Sequence, residues 1–352
     1  MKRIVLKIGS SSLVSGLKQN YANMRRIVEQ IALLKENGVE VVLVTSGAIA
    51  SGVNKLGLKK KPMSLDKKQA LAAIGQPSLI KNYEELFDEY GLILGQILLN
   101  HDDFGSRLRT TNLGDTFKAM FDYGAVPVVN ENDALTVEEI KVGDNDTLSA
   151  MVALISGADT LVLITDVDGL YDGDPTKSGG AKLIERVEKI DDSIFALAGG
   201  SGSAVGTGGM ATKIKAALIA TEAGIETRII NVEKVSELSS ILSGKNCGTL
   251  FTAGEKKYTV KQSWLINCAN KSGKIFVDDG ALVALKNRKS LLSCGIVKTE
   301  GDFSGGSVVS VCGGNGEEFA VGITYYPASE ISKARSGDNR IVIHANNIAI
   351  KV

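Results

Sequence analysis

Over its first 250 residues the chain repeatedly sets a short run of β-branched and other apolar residues before a small, polar or acidic turn, then continues with apolar residues at helical spacing. That alternation leaves few folds open. A strand apolar on both faces must be covered on both sides, and parallel strands joined by crossover helices achieve this. Ile4 to Ile8 ends in Gly9-Ser10-Ser11-Ser12, and Met24, Ile27, Val28, Ile31 and Leu34 follow at helical spacing up to Gly38. Val39 to Val44 reads as a second buried strand before Thr45-Ser46-Gly47, and Ala48 to Leu56 as a helix leaving that turn. Helices are expected over 70–90, 112–123 and 148–156, and strands over 92–98, 125–130 and 160–165.

Beyond about residue 250 the pattern changes. Residues 258–269 show no clear period, and short glycine-punctuated runs at 275–277, 281–285, 295–299, 307–311, 318–324 and 340–343 fit a compact all-β module. The expected fold is therefore α/β, a mostly parallel open sheet sandwiched by helices, plus a small C-terminal all-β domain. The expected division is a catalytic domain over 1–255, a linker over 256–270 and the β module over 271–352.

Composition removes several function classes. Forty basic residues balance forty acidic ones, so no overall field draws the chain to nucleic acid or an anionic membrane, and any anion site must be local. Cys247, Cys268, Cys294 and Cys312 form no C-x-x-C pair, against a zinc site or a disulfide framework. No apolar run approaches ~18 residues, and Lys7 with the turn after it leaves no room for a signal-peptide core. A soluble, cytoplasmic protein without membrane contact is expected. With only His101 and His344, histidine-centred catalysis is constrained.

Five segments carry candidate chemistry, four of them at expected strand ends, where open α/β sheets bind ligands. Gly206-Thr207-Gly208-Gly209-Met210-Ala211-Thr212-Lys213 opens a helix: its glycines let backbone N–H groups approach phosphate oxygens, the helix start adds free donors, and Lys213 adds charge. It has neither Walker nor G-x-G-x-x-G spacing. Lys7, before Gly9-Ser10-Ser11, can set a second ammonium beside a transferring phosphoryl group. Thr45-Ser46-Gly47-Ala48 suits a carboxylate or phosphate and, read alone, is equally an ordinary N-cap. Asn130-Glu131-Asn132-Asp133 and Gly143-Asp144-Asn145-Asp146 can receive an ammonium or reach Mg²⁺ through water, the second also capping the apolar helix that follows. Thr165-Asp166-Val167-Asp168-Gly169-Leu170-Tyr171 could hold ribose or metal-bound water, with Tyr171 near a base.

In order and spacing these segments resemble the amino acid kinase family over essentially the whole chain. The resemblance implies ATP binding by Lys7, Thr165, Asp166, Thr207, Gly208, Gly209, Met210, Ala211, Thr212 and Lys213, and glutamate binding by Ser46, Asp133 and Asn145. Lys7 and Lys213 would stabilise the moving phosphoryl group, Asp166 would organise the cluster, and Mg²⁺ would bridge the ATP phosphates without an assigned protein ligand. The implied reaction is ATP-dependent phosphorylation of the side-chain carboxylate of free glutamate, with a separate glutamyl phosphate reductase consuming the product. Inhibition by proline and a homo-oligomer, dimer or tetramer, are also implied. Acetylglutamate kinase, aspartokinase and uridylate kinase share the ATP-side residues; the appended domain with Ser46, Asp133 and Asn145 favours free glutamate. The C-terminal region resembles the PUA module of RNA-modifying enzymes, but Ser307 stands where such modules often carry aspartate, and RNA binding is not carried over. An RNA-binding regulator on a kinase scaffold is the reading from another class, opposed by the retained Lys7, Lys213 and Asp166 and by the balanced charge.

Overall fold

In a computed structural model of the protein, residues 2–15, 18–59, 64–135, 145–173, 180–198, 209–331 and 339–351 are described. The chain divides into two compact units, Met1–Asp103 with Arg107–Lys256, and Phe104–Ser106 with Lys257–Val352.

An eight-stranded sheet carries the first unit. From one edge its strands are Leu94–Leu99, Val126–Glu131, Glu40–Val44, Arg3–Ile8, Thr160–Thr165, Glu226–Asn231, Thr249–Phe251 and Arg186–Val187. The first six run parallel, and Thr249–Phe251 is antiparallel to Glu226–Asn231. Ile4, Val5, Leu6 and Ile8 are fully buried, as are Val42 to Val44 and Leu161 to Ile164, so the central strands shed water from both faces and need a helical layer on each. One layer packs Met24, Ile27, Val28 and Ile31 of helix Tyr21–Glu36 with Leu79, Tyr83 and Phe87 of helix Leu65–Asp88. Elsewhere in this unit, helix Asn145–Ser156 packs on Met210–Thr221 and on the first strand.

Helices Ala48–Lys55 and Leu65–Asp88 touch through their backbones. A Cβ on Gly52 would lie 2.1 Å from the Leu71 carbonyl oxygen, and one on Gly75 would lie 1.9 Å from that of Ala48. No side chain fits between them, which locks the helix after the Ser46 turn to the one that carries Gln76.

The second unit has a five-stranded sheet in the order Ile296–Glu300, Gly273–Val277, Val308–Cys312, Glu318–Ile323 and Ile348–Ile350, with Ile275, Val309, Val311, Ala320 and Ile348 in its core. One expectation fails here. Residues 281–285, read as a strand, lie in the helix Asp279–Lys286, whose start is capped by the Asp278 carboxylate on the Ala281 N–H (2.7 Å). The expected linker 256–270 contains the helix Val260–Asn267, with Trp264 and Leu265 buried. Eight residues are too few to display a period. The helix is fixed by a reciprocal cap, in which Thr259 Oγ1 accepts from the Gln262 N–H and Gln262 Oε1 accepts from the Thr259 N–H (3.0 Å). Thr259→Ala is expected to cost about 1 kcal/mol in urea unfolding; an unchanged midpoint would show that burial of Trp264 alone sets this helix.

Candidate active site

Parallel pairing gathers the candidate residues at the carboxyl ends of the strands. Lys7 pairs in register with Val44 on one side and Leu163 on the other. The Thr45-Ser46 turn and the Thr165-Asp166 turn therefore flank the end of the first strand. Asn130 and Glu131 finish the strand next to Glu40–Val44, and the Thr45 N–H donates to the Val129 carbonyl (2.9 Å).

At the centre stands Asp146, only 1% exposed. Its Oδ1 lies 2.5 Å from Lys7 Nζ and its Oδ2 lies 3.2 Å from Lys213 Nζ, while the Thr212 hydroxyl donates to Oδ2 at 2.6 Å. Both lysines are themselves buried. Burial alone would push the Asp146 carboxyl up, but the ammonium groups of Lys7 and Lys213, with the hydrogen bonds from Lys7 and Thr212, hold it below its ordinary range. Two cations from different elements thus share one anion in a site shielded from water, where charge acts most strongly on a reacting group.

The family resemblance implies an organising role for Asp166; the carboxylate that pairs with both lysines is Asp146. Asp166 lies past the end of its strand, exposed, and accepts the Thr165 hydroxyl (3.1 Å). From sequence alone Asp146 reads as a helix cap; the signal for its wider role is an acid in the first turn of an otherwise apolar helix, in a fold whose two candidate lysines need a counter-charge. Thr212 and Lys213 meet Asp146, and Gly209, Met210 and Ala211 form the start of the same helix. Thr207 and Gly208 lie outside the described residues, as do Gly206, Gly143 and Asp144. Tyr171 donates to Asp168 (3.2 Å), and Asn231 Nδ2 donates to the same carboxylate (2.9 Å), forming a polar shelf past two adjacent strands.

On the acceptor side, Asn145 Nδ2 donates to the Thr45 carbonyl (2.8 Å), Ser46 Oγ (2.7 Å) and Asn130 Oδ1 (3.1 Å). Asn130 Nδ2 in turn donates to Gln76 Oε1 (2.8 Å). Asp133 lines a cavity of about 350 Å³ with Gln76, Glu131 and Asn132. Ser46 and Asn145 are therefore in direct contact and reach that cavity's wall through two further amides. Among the described residues no group of three or more His, Cys, Asp or Glu side chains is placed to hold a metal ion, and no helix is long and apolar enough to cross a membrane.

Comparison with known proteins agrees with this geometry. The sequence profile of the amino acid kinase family matches residues 2–231, and that of the PUA domain matches residues 273–345. The chain belongs to the amino acid kinase family. It is 46% identical over 335 residues to a glutamate 5-kinase of Thermoanaerobacter sp. (strain X514), covering 95% of this chain and 90% of that one. A glutamate 5-kinase of Carboxydothermus hydrogenoformans is 48% identical over 339 residues with the same coverage. One of Geobacter metallireducens is 40% identical over 366 residues, covering 99% of this chain and 98% of its own. The similarity spans both the kinase region and the PUA domain.

Proposed function

We propose that this protein transfers the γ-phosphoryl group of ATP to the γ-carboxylate of free glutamate, giving L-glutamyl 5-phosphate, the first step of proline biosynthesis. The observation that carries the reading is the buried Lys7–Asp146–Lys213 cluster beside a polar acceptor cavity, in a chain similar over nearly its full length to proteins named glutamate 5-kinase.

A carboxylate oxygen of glutamate attacks the γ-phosphorus, the bond from that phosphorus to the β-phosphate oxygen breaks, and ADP leaves. The nucleophile is already ionised near neutrality, so the site needs no general base and works by positioning and charge. Lys7 and Lys213 bear on the phosphoryl oxygens as negative charge spreads over them, and Asp146 fixes the separation of the two ammonium groups. The first turn of helix Met210–Thr221 supplies backbone donors for the nucleotide phosphates. Ser46 and Asn145 orient the attacking carboxylate, and Asp133, on the cavity wall, meets the α-ammonium group. Mg²⁺ would neutralise charge between the phosphates. The exposed Asp166 carboxylate suits contact with an ion that arrives on ATP and keeps most of its water.

The reading extends to a cytoplasmic enzyme, with which its four free thiols accord, to a homo-oligomer inhibited by proline, and to delivery of the labile acyl phosphate to a glutamyl phosphate reductase. The test is ATP consumption with Mg²⁺ and hydroxylamine, which traps an acyl phosphate as a coloured hydroxamate. Glutamate, N-acetylglutamate, aspartate and uridine monophosphate are compared as acceptors. Hydroxamate from glutamate alone is expected; turnover confined to another acceptor would reassign the substrate within the family.

A further inference from the structure

The acceptor cavity is lined by a side chain with a polar donor that no described residue satisfies. Gln76 is 91% buried by its 9% exposure, its Oε1 accepts from Asn130, and its Nε2 is buried without a hydrogen-bond partner. The direction of the amide chain is fixed from its far end. The Thr45 backbone carbonyl can only accept, so Asn145 must turn its NH₂ group toward it. The same NH₂ meets Asn130 Oδ1, which leaves Asn130 Nδ2 to face Gln76 and obliges Gln76 to present its oxygen. The remaining group of Gln76, an NH₂ with two protons, is therefore the end of the chain, on a side chain that lines the cavity. Such a donor is unfavourable when left unpaired in a buried site, and a ligand oxygen relieves it.

Resting on the functional reading above, we propose that Gln76 is a specificity-determining residue that receives the α-carboxylate of the acceptor amino acid. The chain has a reacting end and a recognition end. Asn145 adjoins Asp146 and the lysines, where the γ-carboxylate must react, and Gln76 stands one whole asparagine side chain beyond it. The same cavity is lined by Glu131 and Asp133, and a neutral amide N–H offers the α-carboxylate a donor among these acids. Those acids attract the α-ammonium, and the amide hydrogen bond offsets their repulsion of the α-carboxylate.

The discriminating variant is Gln76→Glu, which preserves the oxygen that Asn130 needs and exchanges only the donor for an anionic acceptor. Hydroxamate formation is measured with glutamate and with glutamate α-amide, which keeps the γ-carboxylate but replaces the α-carboxylate by a donor. In the variant KM for glutamate is expected to rise about 10-fold or more with little change in KM for ATP, and the preference for glutamate over the α-amide to fall by at least as much. A glutamate to α-amide ratio within about threefold of the native one, or a fall in kcat alone and equal for both acceptors, would overturn the assignment. If Gln76→Glu does not melt cooperatively, Gln76→Met is read by the same ratio, which should move toward one. Native protein that forms no hydroxamate from glutamate would remove the functional reading and this inference together. Native activity with an unmoved variant ratio would remove the inference alone.

Discussion

Exchanging Asp146 for asparagine is expected to lower kcat by roughly 10²- to 10³-fold while enlarging the protection that Mg·ATP gives against heat. The substitution keeps the shape of the side chain and removes the negative charge that Lys7 and Lys213 share in the cluster described above. Without nucleotide, the two buried ammonium groups then lose the carboxylate they share, which destabilises the free protein by an amount on the order of a few kcal/mol. Phosphate oxygens restore a partner, so the melting temperature should climb further on adding Mg·ATP than it does for the native chain. Stability against pH gives an independent check. Because the Asp146 carboxyl is depressed in the folded state, its contribution is complete above its unfolded value of ~3.9 and disappears as pH falls through the lower folded value. The stability gap between native protein and variant should therefore be widest above ~pH 5 and close in more acid solution. Native turnover in the variant, or a smaller nucleotide-induced shift, would mean that the lysines are held by something other than this carboxylate.

Gly75→Ala is the second large effect. The new methyl group would lie 1.9 Å from the Ala48 carbonyl oxygen and 2.3 Å from the Gly52 nitrogen, and both are backbone atoms that cannot rotate away. The two helices must separate, at a cost of about 3 kcal/mol or more. Since Gln76 is the next residue and Ala48 lines the same cavity, a displacement near 1 Å should also cut kcat/KM for glutamate by about 10²-fold. Gly114→Ala provides the contrast. A Cβ there meets only ordinary contacts at 3.8 Å within the helix Arg107–Asp122, so this change should stabilise the protein by up to about 1 kcal/mol. Equal responses at the two positions in chemical unfolding would refute the backbone-contact argument.

The parallel core was legible because strands such as Thr160–Thr165 must be apolar on both faces, and that requirement is written in consecutive residues. The same logic located Lys7, Ser46 and Asn130 at strand ends. Order within the sheet was not legible, since crossover connections carry no mark of which neighbour a strand will choose. Asp278 followed by Ala281, Leu282 and Leu285 could equally have announced a capped helix, and only packing decided between helix and strand. Asp146 and Gln76 were hidden for another reason: each obeys the local rules for its helix, and its role depends on partners more than fifty residues away. Short-range pattern has no access to such a partner. Asn130, which in sequence opens an acidic stretch, likewise acquires its meaning from the two amides on either side of it.

Two cations and one anion leave the Lys7–Asp146–Lys213 cluster with a single net positive charge before any nucleotide arrives. Two bare lysines would grip the phosphates harder, but ADP as firmly as ATP, and a reaction that ends with a tightly held product is limited by its departure. On the proposed mechanism Asp146 would compete with the phosphates for both ammonium groups and reclaim them once the phosphoryl group has moved. On the function proposed above, the same carboxylate would also shorten the residence of the spent nucleotide, so its removal should show as slower ADP release as well as slower transfer.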